Sequence, residues 1–128
     1  MNASGETFSK EERLCSFKTV NSLFEEGNVF YTGLFRVVWQ YSSAQQTFPV
    51  KVAFGVPKKI FKAAVTRNLV KRRMREAWRK NKFRLYEHLN KKNQNISLFF
   101  VFRDKTVPDY ANTEKSVNDA INKLILII

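Results

Sequence analysis

Arg67, Lys71, Arg75 and Arg79 recur at four-residue intervals, with Asn68 and Arg72 between them. On a helix turning about 100° per residue, that spacing stacks cations along one flank. The chemistry open to such a stack is anion recognition, because arginine forks make paired hydrogen bonds to phosphate oxygens and guanine edges. Like charges four residues apart repel by roughly 0.2–0.5 kcal/mol per pair, so the array costs stability until a partner neutralises it. Solvated helices normally interleave Glu with Lys, whereas Glu76 is the lone acid here, within reach of Arg72 or Lys80.

The charge is local. Lys58 to Arg84 holds twelve basic residues (among them Lys58, Lys59 and Lys62) and one acid, a net +11, so the other 11 basic and 10 acidic residues supply +1 of the total +12. A polyanionic partner is implied, nucleic acid ahead of a membrane surface, because Val70, Met74, Ala77 and Trp78 form an apolar face the core requires. Residues for protein catalysis are missing. The single histidine, His88, sits in a Lys-rich region and reads as a helix-end surface residue, and no carboxylates cluster as a metal-dependent nuclease would need. No catalytic residue and no metal ligand is therefore expected. The lone Cys15 cannot form an internal disulfide and reads as a buried or half-buried thiol.

With 128 residues, 44% hydrophobic and 14% aromatic, the chain suits one globular domain. The longest apolar runs, Leu98 to Phe102 and Leu124 to Ile128, are five residues each, so neither a signal peptide nor a membrane span is expected and a cytoplasmic location follows. Residues 1–8 read as a flexible segment before a domain of residues 9–128.

The elements that must hold the cations follow from pattern. A helix is predicted over Ser9–Glu26, with Ser9 as cap, Gly27 as stop, and Leu14, Phe17, Val20, Leu23 and Phe24 as its stripe. Leu34–Tyr41 reads as a strand, residues 42–47 as its turn, and Pro49–Val56 as a second strand with Val50, Val52, Phe54 and Val56 on one face. The basic helix is predicted from Thr66 or Asn68 to about Arg84, followed by a polar loop over Asn90–Asn95. Ile96–Phe102 reads as a buried strand, and a last helix covers about Thr113–Ile127. The order α-β-β-α-β-α describes a sheet of at least three strands packed by helices.

Ala64-Val65-Thr66-Arg67-Asn68-Leu69-Val70-Lys71-Arg72-Arg73-Met74-Arg75-Glu76 resembles the signature of the bacterial ribonuclease P protein subunit, Ala-Val-x-Arg-Asn-x-x-Lys-Arg-x-x-Arg-Glu, at every fixed position. Val56-Pro57-Lys58-Lys59 is similar to the family's Val-Ser-Lys-Lys, and Leu23-Phe24-Glu25-Glu26-Gly27 to its Val-Phe-x-x-Gly. Leu69 stands where an arginine is frequent, Phe61-Lys62 where Gly-Asn is common, and Val20 where an aromatic is usual.

The resemblance implies an α+β domain, α-β-β-β-α-β-α, whose mostly antiparallel four-stranded sheet includes a further strand near Asn28–Tyr31. A left-handed β-α-β crossover would carry the basic helix, against the usual right-handed preference. It implies that catalysis resides in an RNA subunit that cleaves the 5′ leader from precursor tRNA with magnesium held mainly by RNA phosphates, none bound tightly by the protein alone. The expected contacts to the catalytic RNA are Lys58, Lys59, Lys62, Arg67, Asn68, Lys71, Arg72, Arg75 and Arg79. The expected leader cleft is Phe17, Val20, Phe24, Arg36 and Val38, between the first helix and the sheet. No protein oligomer is required. Two other classes remain open at this stage: a ribosomal or tRNA-associated RNA-binding protein of related fold without a role in cleavage, and an autonomous protein nuclease.

Overall fold

A computed structural model describes residues 8–43 and 46–128. Its first helix is shorter than the periodicity predicts. Ser9 and Glu12 close a capping box around a single 3-10 turn, Lys10–Glu12, and the chain then runs extended through Leu14 before helix α1, Phe17–Glu26, starts under Ser16. The reason is pairing: the Leu14 N–H donates to the Val52 carbonyl at 2.9 Å, and Arg13 bridges Val52 in parallel. A segment committed to a sheet edge cannot also be helical. The alternation turns Leu14 inward and Cys15 outward, so the thiol is exposed rather than buried.

Gly27 ends α1 because nothing larger fits: a Cβ there would lie 2.3 Å from the Leu23 carbonyl oxygen. Strands β1 (Asn28–Tyr31), β2 (Phe35–Ser42), β3 (Val50–Gly55) and β4 (Asn95–Phe102) form one sheet in the order β1-β2-β4-β3. β1–β2 and β2–β4 are antiparallel and β3–β4 is parallel. The short strand implied by the family resemblance is thus present, and the link from β3 to β4 carries the basic helix. Residues 44 and 45 of the predicted turn, and all of the predicted flexible segment but Phe8, lie outside the described residues. Phe8 itself packs on the core, its ring set edge-on to Phe54 at 6.1 Å.

Helices cover the two faces unequally. α2 (Ala64–Asn81), α3 (Phe83–Lys91) and α4 (Tyr110–Ile127) pack on the face built from Phe35, Val37, Val50, Val52, Ile96, Leu98, Phe100 and Phe102. Val70, Met74, Ala77 and Trp78 of α2 are all fully buried there. Burying Val70 and Met74 contributes about 1.5–3 kcal/mol each, several times the repulsion of a cation pair, so packing decides where α2 lies. α1 alone covers part of the opposite face, where Leu23 joins Leu14 and Val38 in a small second core.

The long basic helix predicted to Arg84 is two helices. α2 starts at Ala64, ahead of the predicted Thr66 or Asn68, and stops at Asn81; α3 then brings Leu85, Tyr86 and Leu89 under the sheet. At the join Lys82 is buried, 2% exposed, and pairs with the equally buried Glu12. Tyr86 donates its hydroxyl to Glu12 Oε1 at 2.7 Å and the Ser9 N–H donates to Oε2 at 2.7 Å. The rings of Tyr86 and Phe8 flank the ammonium at 5.3 and 5.8 Å. Polar contacts then fasten α2 and α3 to α4 and the loop before it: Arg73 donates to the Pro108 carbonyl, Asn81 to Glu114 at 2.9 Å, and Arg84 to Asn118 at 2.7 Å.

Candidate nucleic-acid interface

Four residues of α-helix turn about 400°, so a four-residue ladder drifts about 40° per step. The drift sorts the cations. Arg67 begins beside the core face, half-buried, and donates to the carbonyls of Phe61 and Lys62 at 2.9 and 2.8 Å. Arg79, at the far end, donates to both oxygens of Glu76 at 3.0 and 2.7 Å. That hydrogen bonding, offset partly by desolvation, holds the Glu76 carboxyl below its ordinary range. Glu76 therefore pairs with Arg79, and more loosely with Lys80 at 3.9 Å, and not with Arg72 as the spacing also allowed.

Of the twelve cations from Lys58 to Arg84, Arg67, Arg73, Arg79, Lys80, Lys82 and Arg84 have partners within the fold. Lys58, Lys59, Lys62, Lys71, Arg72 and Arg75 have none among the described residues. Five of these six are exposed and Lys71 is half-buried. Asn68, Arg72 and Arg75 line a shallow concavity with Val65 and Leu69, and Val65 is 81% exposed.

The start of α2 adds to this field. Its cap position is Ala63, which offers no side-chain acceptor, and its first turn holds no acid. The first-turn N–H groups, at the positive end of the helix dipole, lie between Lys62 and Asn68 with no side chain closing them. A helix start of this kind favours phosphate. The Arg67 bonds to Phe61 and Lys62 hold the preceding loop against it.

On the opposite face, strand register assembles a second surface. Tyr31, Arg36 and Val101 are consecutive partners across β1, β2 and β4. They share a groove with Pro57, Lys59, Ile60, Arg103 and Lys105. The Arg103 guanidinium lies over the Tyr31 ring at 4.8 Å and that of Arg36 over the Phe24 ring at 5.6 Å. Phe24 in turn meets Phe99 edge-on at 4.9 Å.

The residues expected at a leader cleft part company here. Phe24 and Arg36 meet on this surface, Phe24 being 37% exposed. Val20 is half-buried against the small core. Phe17, one turn before Val20, is 79% exposed. Val38 is wholly buried beneath Leu23 and presents no surface to a ligand, a correction to its expected place in the cleft. Tyr31, Val101 and Arg103 were not anticipated; only cross-strand register, absent from local pattern, brings them beside Arg36. Lys82, expected within the surplus charge, belongs to the core. Among the described residues no three His, Cys, Asp or Glu side chains converge to hold a metal ion. No helix among them is long and apolar enough to cross a membrane.

The fold is a single α+β domain with a mixed four-stranded sheet, and it displays unpaired cations on the crossover between its parallel strands. The sequence profile of the ribonuclease P family matches residues 8–125. The ribonuclease P protein component of Porphyromonas gingivalis, in two strains, is 32% identical over 116 residues, covering 91% of this chain and 85% of that one. Among solved structures, the RNase P protein of Thermotoga maritima superposes with a TM-score of 0.68 at 20% identity, covering 88% of this chain and 96% of that one. The RNase P protein of Staphylococcus aureus does so at 0.66 and 16%, covering 88% and 94%. The chain belongs to the ribonuclease P protein family, the RNA-binding protein components of an endonuclease of tRNA processing.

Proposed function

We propose that this protein binds the catalytic RNA of ribonuclease P through the free cations around α2, and the 5′ leader of precursor tRNA through the groove over β1, β2 and β4 and the α1 ring of Phe24 beside it. The observation that carries the reading is that the free cations of α2 and the groove over β1, β2 and β4 lie on different sides of the sheet, with Lys59 at the border of the two. Six unpaired cations and an open helix start suit a folded RNA backbone. A surface where guanidiniums lie over the rings of Tyr31 and Phe24 suits a single strand, whose bases stack with little regard to sequence.

Cleavage in this reading belongs to the RNA. The protein's own residues bind and orient: α2 docks the RNA, and the groove holds the leader so that the scissile phosphodiester is presented to it. Magnesium, carried by RNA phosphates, supplies charge stabilisation and an activated water. Asn68 donates or accepts at the concavity where Arg72 and Arg75 would clamp phosphate oxygens.

Phe24→Ala tests the leader half of this assignment. In the reconstituted holoenzyme it is expected to weaken precursor tRNA by about five- to 100-fold, the range of one stacked base, and to leave mature tRNA unchanged. Equal losses for both would assign Phe24 to packing against Phe99 alone.

A further inference from the structure

Cys15 is the only thiol of the chain, and the pairing of Leu14 to the β3 edge turns it outward, where it lines a cavity of about 370 Å³ at the N-terminal end of α1. Ser97 and Lys51, register partners across β4 and β3, form the sheet wall of that cavity. Ser97 lies four residues along β4 from Val101, which lines the groove. Four residues of strand span about 13 Å, so the cavity is a separate site.

Two further observations point to a ligand there. Ser97 is 3% exposed, and its side chain makes no hydrogen bond with any described residue. The alternation that sends Ile96 and Leu98 into the main core turns Ser97 toward the cavity. A buried hydroxyl left without a partner costs stability until a ligand satisfies it. The second observation is charge. Lys10 and Lys51 have no partner among the described residues, Arg13 reaches only the Phe8 carbonyl at 3.4 Å, and Glu11 is the one acid of the described lining. α1 starts beside Cys15 with no acid in its first turn, so the positive end of its dipole adds to the field. Exchange-active thiols sit in electropositive, partly exposed surroundings of this kind.

We infer that Cys15 is a site of reversible thiolation by a small acidic disulfide, whose carboxylate-bearing half the cavity holds. The Cys15 thiolate attacks one sulfur of that disulfide. A new S–S bond forms to Cys15 as the old one breaks, and the other half leaves as a thiolate that takes up the proton Cys15 gave up. Cys15 is thereby oxidised and the leaving half reduced. The retained carboxylates face Lys10, Arg13 and Lys51, and a polar group of the adduct partners Ser97. The 128 residues hold no second cysteine to displace the adduct, so it persists until an external thiol removes it.

The test exposes the reduced, folded chain to glutathione disulfide or to cystamine, its cationic counterpart, and follows adduct formation by intact mass. Each rate is divided by that of N-acetylcysteine amide, which removes differences in intrinsic reactivity. At low salt the acidic disulfide is expected to react about tenfold faster than the cationic one, at the lower end of what a charged cleft contributes. The ratio should fall toward one near 1 M salt, where screening is nearly complete. The double variant Lys10→Gln with Lys51→Gln is expected to lose most of the preference. Lys115→Gln, an exposed position on α4, removes a charge from the other side of the sheet and should leave the preference unchanged. Ser97→Ala is expected to shift the exchange equilibrium with reduced glutathione about two- to tenfold toward the free thiol, the contribution of one hydrogen bond. Absence of an adduct on the folded chain overturns the inference, as do equal rates for the two disulfides. A preference that survives the double lysine variant, or that Lys115→Gln lowers as much, overturns it as well, since net charge then accounts for the rates.

Discussion

Affinity for the catalytic RNA is expected to fall about 10³-fold between 50 and 200 mM salt, because six phosphate contacts release about that many counterions. The number six is structural: Lys58, Lys59, Lys62, Lys71, Arg72 and Arg75 are the cations of this region with no partner among the described residues. The gross charge of Lys58 to Arg84 would have suggested nearly twice as many. Arg75→Ala removes one free contact and is expected to lower the slope of log affinity against log salt by about one. Arg67→Ala acts otherwise, since it releases the carbonyls of Phe61 and Lys62 and loosens the loop that carries three of the cations. Filter binding across a salt series checks both. A flat response would remove α2 from the interface.

Glu12→Ala is expected to destabilise the fold by about 3–5 kcal/mol, a large share of a small domain's stability, because it takes away the carboxylate that pairs with the buried Lys82 ammonium. Lys82→Ala, which strands the carboxylate, should cost a similar amount. Replacing both with apolar residues, as in Glu12→Leu with Lys82→Met, should recover most of the loss, since a buried pair is close to break-even against well-packed hydrophobes. Urea unfolding separates the three; additive losses in the double variant would contradict the pairing. Burial pushes the Glu12 carboxyl upward, but hydrogen bonds from Lys82, Tyr86 and the Ser9 N–H outweigh it and hold the group below its ordinary 4.5. A carboxyl lowered in the folded state adds stability that is full above that ordinary value and is lost as pH falls through the folded one. Wild type should thus lose stability below about pH 4.5, and the apolar double variant should lose less there.

The same pair shows where local pattern stops being informative. Ser9 followed by Glu12 is a legible capping box, and it does form, but around one 3-10 turn. Whether the helix continues depends on Val52, some forty residues on, which recruits Leu14 to the sheet edge. The end of α2 was invisible for a related reason. No Gly or Pro marks Asn81–Phe83, and Lys82 reads as one more cation until Glu12 is placed beside it. By contrast, the faces of β3 and α2 followed directly from period: Val50 and Val52 of β3, Val56 just beyond it, and Val70, Met74, Ala77 and Trp78 are buried as their spacing requires, with Phe54 half-buried against the same core. The cations themselves were legible, their division into free and committed was not, because partners such as Pro108, Asn118 and the Phe61 carbonyl come from other elements. Val38 failed as a cleft residue because the alternation that puts it on the same sheet face as Arg36 says nothing about which part of that face α1 covers.

If this chain serves an RNA catalyst, reconstitution shows it most directly. Precursor tRNA with a labelled 5′ leader would be incubated with the protein alone, with a bacterial ribonuclease P RNA alone, and with both, at millimolar magnesium. The prediction is release of the leader at the mature 5′ end with the RNA present, faster with the protein added, and no cleavage by the protein alone. Cleavage by the protein alone, or an RNA whose rate and precursor affinity the protein leaves unchanged, would contradict it.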